Sequence, residues 1–227
     1  MIKIPLIPIN IQSPFPIGDP EEFKKSNVWG NIKEKTFIET GTFFGHGVLS
    51  AIKKGCTDIH SIEINSEIFQ SACIKMVLLG HINSNDSSCE IYKKDDFFSI
   101  VIADAIRVSL YNGNTINKLP LVLSRIKEKS CFWLDAHWSG EVTQIGGILE
   151  KKSKNHVKVP ILQELEIINK HHIKDHTIMI DDYNQVCDHV NGGYSKIKKN
   201  IKKINKDYKI EKVKKEDQED YIIIAKS

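Results

Sequence analysis

The stretch "TFIETGTFFGHGVLS", residues 36–50, joins a short run of apolar and β-branched residues to a run with helical spacing. Between the two runs the chain places Gly41, Gly45 and Gly47, and Glu39 comes two residues before the first of them. A glycine-rich loop between a strand and a helix lets the backbone approach a ligand, and the helix N-terminus presents free N–H groups to it. The stretch therefore predicts a nucleotide-like binding loop in an α/β sheet.

The rest of the chain alternates strand-like with helix-like segments, which indicates a parallel sheet covered by helices on both faces. After residues 36–40 the strand-like segments are "DIHSIEI", "FFSIVIADA", "SCFWLDAH", "TIMIDD", "YKIEKVKK" and "DYIIIAKS". The last two have no helix between them and must pair with each other as a hairpin. We therefore predict an α/β, Rossmann-like, doubly wound fold with a mostly parallel seven-stranded sheet and an antiparallel C-terminal hairpin.

Two further segments of the chain are interpreted from local signals. Asn65 is the predicted N-cap of a long helix, and the polar segment "INSNDSSCEIYKKDD" after that helix is interpreted as a loop. Near the C-terminus, a helix is predicted around residues 194–206, and ten lysines lie between residues 196 and 215. Because aromatic residues are scarce there and acidic residues follow closely, we interpret these lysines as a solvated face and not as an RNA-binding surface.

The bulk composition fits one globular domain. The chain has 227 residues, of which 41% are hydrophobic and 27% charged, and its net charge of +3 does not imply a nucleic-acid partner. Residues 1–20 contain five of the seven prolines, so they can form neither a helix nor a central strand. We expect residues 1–30 to form an N-terminal arm or lid and residues 31–227 to form the single domain.

The cysteines and the N-terminus bear on the compartment. The five cysteines are widely spaced and contain no C-x-x-C motif, which argues against a disulfide framework or a zinc knuckle and fits a reducing compartment. The apolar N-terminus is broken by prolines and does not resemble a signal peptide, and no apolar stretch approaches the length of a membrane span. We therefore expect a cytoplasmic protein with no membrane partner.

Glu63 strengthens the interpretation of the glycine loop. It ends the second predicted strand, where an acid can accept hydrogen bonds from both ribose hydroxyls of a bound cofactor. A tight turn next to an ordinary solvent-facing glutamate would give the same local pattern. The combination of strand, loop, helix and Glu63 favours cofactor binding.

The stretch "FIETGTFFGHG", followed by "SIEIN", resembles motif I and the ribose-binding acid of the class I S-adenosylmethionine-dependent methyltransferases. The terminal hairpin is similar to that of the same fold, and the resemblance runs from about residue 36 to 225. It implies that the loop holds the methionine end of the cofactor, Glu63 the ribose and Asp104 the adenine, with Asp95 or Asp96 as alternatives to Asp104. The implied cofactor-binding set is Glu39, Thr40, Gly41, Thr42, Gly45, Gly47, Glu63, Asp104 and Asp135.

Acidic residues end two further predicted strands, in "WLDAHW" and "MIDDY". Because the carboxyl ends of parallel strands meet at one edge, we expect Asp135, Asp181 and Asp182 to converge beside the glycine loop. Three carboxylates repel one another unless a cation lies between them, and oxygen ligands suit Mg²⁺ or Mn²⁺. The pattern resembles the metal-dependent O-methyltransferases of the sugar and catechol types. As an alternative, the Asp181–Asp182 pair can be a helix cap or a solvated turn.

The resemblance implies in-line transfer of the methyl group from the sulfonium to an acceptor oxygen. A metal-bound hydroxyl has a lowered pKa, and a nearby base can take its proton. We predict Asp135 and His137 as catalytic residues, with His137 as the base because its ordinary pKa near 6.5 suits that role. His137 can equally orient a ligand or bind the substrate.

The sequence thus predicts metal-assisted O-methylation of a hydroxyl on a sugar, a glycan or another small molecule. Alternatives are a methyltransferase that acts on RNA or another nucleic acid, an NAD-dependent oxidoreductase on the same fold, and a non-catalytic module that keeps the cofactor pocket. A homo-oligomer in which the N-terminal arm reaches a neighbouring subunit also stays open.

Three remaining features are interpreted more simply. The segment "HHIKDH", residues 171–176, precedes a strand and should lie at the edge of the sheet opposite the site, as a solvated loop. The loop from Trp138 to Lys158 can be a lid, an acceptor pocket or a plain surface loop. Glu164 either lies behind the site, contacts the acceptor, or only interacts with the helix dipole.

Overall fold

The computed structural model describes residues 26–83, 90–102, 105–136, 159–215 and 219–227. Within these residues the helices are α1 (Ser26–Trp29), α2 (His46–Lys53), α3 (Ser66–Asn83), α4 (Thr115–Leu123), α5 (Ile161–Lys170), α6 (Tyr183–His189) and α7 (Gly193–Ile204). The strands are β1 (Thr36–Thr40), β2 (Asp58–Glu63), β3 (Glu90–Lys94), β4 (Phe97–Ile102), β5 (Ile106–Asn112), β6 (Ser130–Leu134), β7 (Thr177–Ile180), β8 (Lys209–Lys214) and β9 (Tyr221–Lys226).

The described strands form one sheet in the order β3-β4-β5-β2-β1-β6-β7-β9-β8. Strands β5, β2, β1, β6 and β7 are parallel to their neighbours in this series. Strand β9 is antiparallel to both β7 and β8, so the terminal hairpin inserts its second strand into the sheet. The predicted α/β fold, its parallel centre and its antiparallel C-terminal hairpin are confirmed.

The predicted number of strands and the third parallel strand are wrong. "FFSIVIADA" contains β4, which is antiparallel to β5 and pairs on its other side with β3. The third parallel strand is instead β5, and β3 lies in the segment that was predicted to be a loop. The connection between Ile102 and Ile106 contains no Gly, Pro or Asn, and Asp104 is its one residue typical of turns.

Each face of the sheet has its own hydrophobic core. Strand residues alternate between the two faces, so that Phe37 packs under α2 and α3 while its neighbour Ile38 packs under α4 and α5. Strands β1 and β6 are buried along their whole length, as expected for central strands covered on both sides. The cores therefore fix the carboxyl ends of these strands at one edge of the sheet.

The helix signals are largely confirmed. The Asn65 side chain accepts hydrogen bonds from the backbone N–H groups of Glu67 and Ile68, at 2.9 and 3.1 Å, and so caps α3. In α7, three isoleucines face the core while most of the lysines are exposed, as the solvated-face interpretation requires. Helix α6 was not predicted.

Several expectations concern regions at the margins of the fold. Val28 and Trp29 of α1 are buried in the core, whereas residues 1–25 of the predicted arm lie outside the described residues. Cysteines 56, 73, 131 and 187 are free thiols, and Cys89 lies outside the described residues. Among the helices of the described ranges, none is both long and apolar enough to cross a bilayer.

Candidate functional site

The glycine loop between β1 and α2 is held against the end of β2. The backbone N–H groups of Gly41 and Thr42 donate to the carbonyl oxygen of Ile62, at 2.9 and 3.2 Å. The Thr42 and Ser61 hydroxyl oxygens lie 2.6 Å apart. These contacts fix the loop across the carboxyl ends of the two central strands, where ligands bind in open α/β sheets.

One loop glycine is required by its backbone conformation and a close backbone contact, and a second makes room for a side chain. Gly41 has a φ of +86°, and a Cβ there would lie 2.6 Å from the carbonyl oxygen of Asp135. A Cβ on Gly47 would lie 1.7 Å from Oε1 of Glu39. Glycine at 41 therefore lets the loop pack on the end of β6, and glycine at 47 lets a carboxylate lie against the first turn of α2.

Glu39 lies beneath the loop. Its side chain is 2% exposed, and its Oε2 accepts a hydrogen bond from the Ser61 hydroxyl at 2.5 Å. Because Oε1 lies against Gly47 at the start of α2, the negative charge is next to the positive end of the helix dipole. Glu39 thus ties β1, β2 and α2 together at the site.

Glu63 closes the other side of the loop. Its Oε2 accepts from the backbone N–H of Phe43 and its Oε1 from that of Asn65, both at 2.8 Å. Burial raises the pKa of Glu63 to about 6, although these backbone hydrogen bonds oppose the shift. Each carboxylate oxygen has a second lone pair that can accept a further hydrogen bond, so Glu63 can still bind hydroxyl groups.

Asp104, which was predicted to contact the adenine, lies outside the described residues. The strand that it was expected to end is antiparallel, and the third parallel strand ends instead at Asn112. The side-chain amide of Asn112 donates to the carbonyl oxygen of Glu63 at 2.9 Å, and the N–H of Gly113 donates to the same oxygen at 2.8 Å. Asn112 is therefore a site residue that the sequence interpretation missed, although "YNGN" after an apolar run is a recognisable strand end.

The two alternatives to Asp104 lie in the turn between β3 and β4. The carbonyl oxygen of Asp96 accepts from the N–H of Asn112 at 2.7 Å, which places this turn beside the end of β5. The Asp96 carboxylate is ion-paired with Lys118, and this pair lowers its pKa. Asp95 has a φ of +33° in the same turn. Of Asp95 and Asp96, Asp96 is the residue whose backbone contacts the end of β5.

Asp135 lies beside the glycine loop, as predicted. Its backbone N–H donates to the carbonyl oxygen of Thr40 at 3.0 Å, and its Oδ2 accepts from the indole N–H of Trp133 at 3.4 Å. Because the carbonyl oxygen of Asp135 also lies against Gly41, the end of β6 and the glycine loop form one surface. His137, the predicted base, lies outside the described residues, as does the loop from Trp138 to Lys158.

Glu164 of α5 is buried directly behind this surface. The side chain is 1% exposed, and its Oε1 has no hydrogen-bond partner among the described residues. Burial raises the pKa of Glu164 to about 7, the hydroxyls of Thr115 and Thr40 oppose this shift through hydrogen bonds, and the charge of Asp135 adds to it. Glu164 therefore lies behind the surface that the glycine loop and Asp135 form, which is one of the positions predicted for it.

Asp181 and Asp182 end β7, and a lysine lies between them. The Nζ of Lys215 is 2.6 Å from Oδ1 of Asp181 and 3.3 Å from Oδ2 of Asp220, and it also forms an ion pair with Asp182. Lys215 is 3% exposed. Burial lowers the pKa of Lys215, but the charges and hydrogen bonds of Asp181 and Asp182 outweigh it, so that the pKa is raised. The cation among these acids is therefore a side chain.

The predicted metal ligands Asp135, Asp181 and Asp182 do not fit a metal ion. Among the described residues, no three His, Cys, Asp or Glu side chains are grouped in a way that could hold one. Oxygen atoms of Asp181 and Asp182 are directed at the Lys215 ammonium, which would repel a divalent cation at the same position. The Lys215 ammonium lies between Asp181, Asp182 and Asp220, and no ion pair of Lys215 with Asp135 is among these contacts.

The histidines of residues 171–176 lie at the opposite edge of the sheet, as predicted, but they are not a solvated loop. His171 and His176 are buried, with Nδ1 of the first 2.9 Å from Nε2 of the second. Nδ1 of His176 accepts from the backbone N–H of Ser130 at 3.1 Å. Burial lowers the pKa of His176 to about 4, and it also lowers the pKa of His171.

The comparisons with known proteins bear on the fold. No protein-family model matches the sequence, and no curated protein matches it. An O-methyltransferase from Bacillus cereus, solved in complex with S-adenosylhomocysteine (SAH), is 12% identical, with 92% of this chain and 81% of that chain covered and a TM-score of 0.52.

Two other solved structures are similar to the same extent. A methyltransferase from Podospora anserina, bound to SAH, is 11% identical over 90% of this chain and 76% of that chain, with a TM-score of 0.50. A ribosomal protein L11 methylase from Lactobacillus delbrueckii subsp. bulgaricus is 15% identical over 92% of this chain and 79% of that chain, also with a TM-score of 0.50. At these identities the likeness shows the fold, and the resemblance to the class I methyltransferases is confirmed at that level.

Proposed function

We propose that this chain is an S-adenosylmethionine-dependent methyltransferase that acts on a hydroxyl oxygen. The observation that carries the proposal is the arrangement of Glu39, the glycine loop and Glu63 at the carboxyl ends of β1 and β2, on a sheet with the strand order of the methyltransferase fold. Its neighbours of known structure include two that were solved with SAH bound.

In this proposal the cofactor lies across the glycine loop. The two oxygens of Glu63 accept hydrogen bonds from the ribose hydroxyls while they keep their backbone donors, and the end of β5 at Asn112 lies beside the adenine. The loop residues 40–47 and Asp135 line the methionine end. Glu39 holds the start of α2 in place and supplies negative charge near the ammonium group of the cofactor.

The transfer itself needs alignment and a proton acceptor. The methyl group moves from sulfur to oxygen in line, and the sulfonium already provides the leaving group, so the protein has to fix the geometry and take the proton of the acceptor hydroxyl. Asp135 and His137 are the proposed acceptors at the end of β6. Glu164 lies behind Asp135, and its pKa of about 7 lets it hold or release a proton at neutral pH.

A metal-assisted mechanism is not part of the proposal, because the ion pairs of Lys215 leave Asp181 and Asp182 unsuited as metal ligands. The acceptor class remains a sugar, a glycan or another small hydroxylated molecule, on the strength of the sequence resemblance. The NAD-dependent alternative is disfavoured by the antiparallel β9, which lies between β7 and β8 where a dinucleotide fold continues in parallel.

Methyl transfer can be tested with S-adenosylmethionine labelled on the methyl group. The purified protein is incubated with a panel of sugars, glycans and small phenols, and with RNA as the competing acceptor class. We expect label in a hydroxylated acceptor and loss of transfer in Glu63→Gln, but not in Glu67→Gln, which changes an exposed glutamate four positions later. Label in RNA alone would reject the small-molecule acceptor, and no label in any acceptor, together with no cofactor binding, would reject the proposal.

A further inference from the structure

The acids at the end of β7 surround an ammonium group that the charge pattern of the sequence did not single out. We propose that Lys215 takes the place of a divalent cation at Asp181 and Asp182, so that the methyl transfer proposed above needs no divalent metal. This inference rests on the proposed function for its catalytic meaning, but the occupancy of the site can be measured without any activity.

The geometry uses the full donor capacity of the ammonium. A lysine ammonium has three N–H donors and no acceptor, and Nζ of Lys215 has three carboxylate partners, Asp181, Asp182 and Asp220. Lys215 and Asp181 are 3% and 1% exposed, so water does not compete for the contact between them. The ammonium is therefore fully bound where a metal would otherwise have to sit.

The carboxylates also have protein donors. Oδ1 of Asp181 accepts from the backbone N–H of Asp182 at 2.8 Å, in addition to its contact with Nζ. Oδ1 of Asp220 accepts from the backbone N–H groups of Asn184 and Tyr221, at 3.0 and 2.8 Å. These donors hold the acids in the orientation that meets the ammonium, which occupies the position that a divalent cation would need.

The backbone supports the same position of the lysine. Lys215 directly follows β8, and its N–H donates to the carbonyl oxygen of Asp220 at 3.0 Å, which joins the two strands of the terminal hairpin. Asp182 has a φ of +48°, an uncommon conformation for a residue other than glycine, which is found where surrounding contacts enforce it. The ammonium thus joins the acids at the end of β7 to the terminal hairpin, as a bound cation would otherwise do.

Direct measurement of Mn²⁺ binding tests the inference. Free Mn²⁺ is followed by electron paramagnetic resonance during titration of wild type, Asp181→Asn and Lys215→Met. Lys214→Met is the matched control, since Lys214 is exposed and pairs with Glu219. We expect wild type and the control to leave the Mn²⁺ signal unchanged, and Lys215→Met to bind the ion through the acids that lose their partner.

Thermal unfolding gives a second readout of the same site. Lys215→Met removes the cation beside the buried Asp181 carboxylate, so its Tm in EDTA should fall by on the order of 10 °C, and Mn²⁺ should restore part of that loss. The Tm of wild type should be the same in EDTA and Mn²⁺. Wild-type binding of Mn²⁺ that Asp181→Asn abolishes would overturn the inference, and so would a folded Lys215→Met protein that gains no response to Mn²⁺.

SAH titration in EDTA separates this inference from the proposed function. If wild type binds neither SAH nor Mn²⁺, the methyltransferase proposal fails while the assignment of Lys215 as the internal cation stands. If wild type binds SAH and also takes up Mn²⁺ at Asp181, the proposed function stands and the metal-free site is rejected.

Discussion

Replacement of Glu164 by glutamine should stabilise the protein at alkaline pH, although it removes a group from the site. The carboxyl is buried, and burial raises its pKa from 4.5 to about 7. In the window between these values the folded state binds more protons than the unfolded state, so wild-type stability is full below about pH 4.5 and falls as the pH rises through 7. A shift of this size corresponds to about 3 kcal/mol.

Glutamine has nearly the same shape and no charge, so the variant has no cost of ionising a buried carboxyl in the folded state. Urea unfolding of wild type and Glu164→Gln from about pH 5 to about pH 8 should show a stability difference that grows in favour of the variant by up to about 3 kcal/mol. Glu166→Gln, an exposed position on the same helix, should show no such change. Parallel stability profiles for wild type and Glu164→Gln would refute the assignment of a buried, titrating carboxyl behind Asp135.

Three other perturbations have defined outcomes. Gly47→Ala should abolish SAH binding in calorimetry with the fold retained by circular dichroism, because the new Cβ meets Oε1 of Glu39 at 1.7 Å; unchanged affinity would show that this contact does not shape the cofactor site. Burial lowers the pKa of His176 from 6.5 to about 4, so wild type should lose roughly 3 kcal/mol as the pH falls through that window, and urea unfolding of His176→Gln should lack this loss. Asp135→Asn should keep SAH affinity within a few fold and reduce methyl transfer by about 10²-fold or more in the labelled assay if Asp135 takes part in proton transfer; equal transfer rates would remove it from the mechanism.

The glycine loop and its acids can be predicted from the sequence because their signals are local. A strand, closely spaced glycines, a helix start and Glu63 follow one another within a short segment, and the Asn65 cap adds the start of the next helix. Each of these features depends on neighbouring residues, so the pattern predicts both the fold and the loop without any knowledge of distant contacts.

The misplaced third strand has a different cause. Strand β4 lies in the apolar segment "FFSIVIADA", which was predicted to be the third parallel strand, whereas residues 106–112 alternate apolar residues with Arg107 and Ser109 and were assigned to no element. This error placed the end of the third parallel strand at Asp104, whereas that strand ends at Asn112. The alternation of apolar and polar residues over 106–112 is the sequence signal that would have predicted β5.

The roles of Lys215, Glu164 and His176 depend on tertiary contacts. Lys215 is one of ten lysines near the C-terminus, and only the hairpin between β8 and β9 brings it to the acids of β7. Glu164 and His176 are polar residues that helix packing and sheet pairing bury. Sequence polarity predicts exposure on average, and buried ionisable groups are the exceptions that accompany functional or specifically paired sites.

Calorimetric titration of SAH into wild type, Glu63→Gln and Glu67→Gln tests the central claim most directly, with NAD as the competing ligand. We expect micromolar binding of SAH to wild type and to Glu67→Gln, an affinity for SAH at least about tenfold lower in Glu63→Gln, and no heat of binding from NAD. Binding of NAD without binding of SAH, or SAH binding that is indifferent to Glu63, would contradict it.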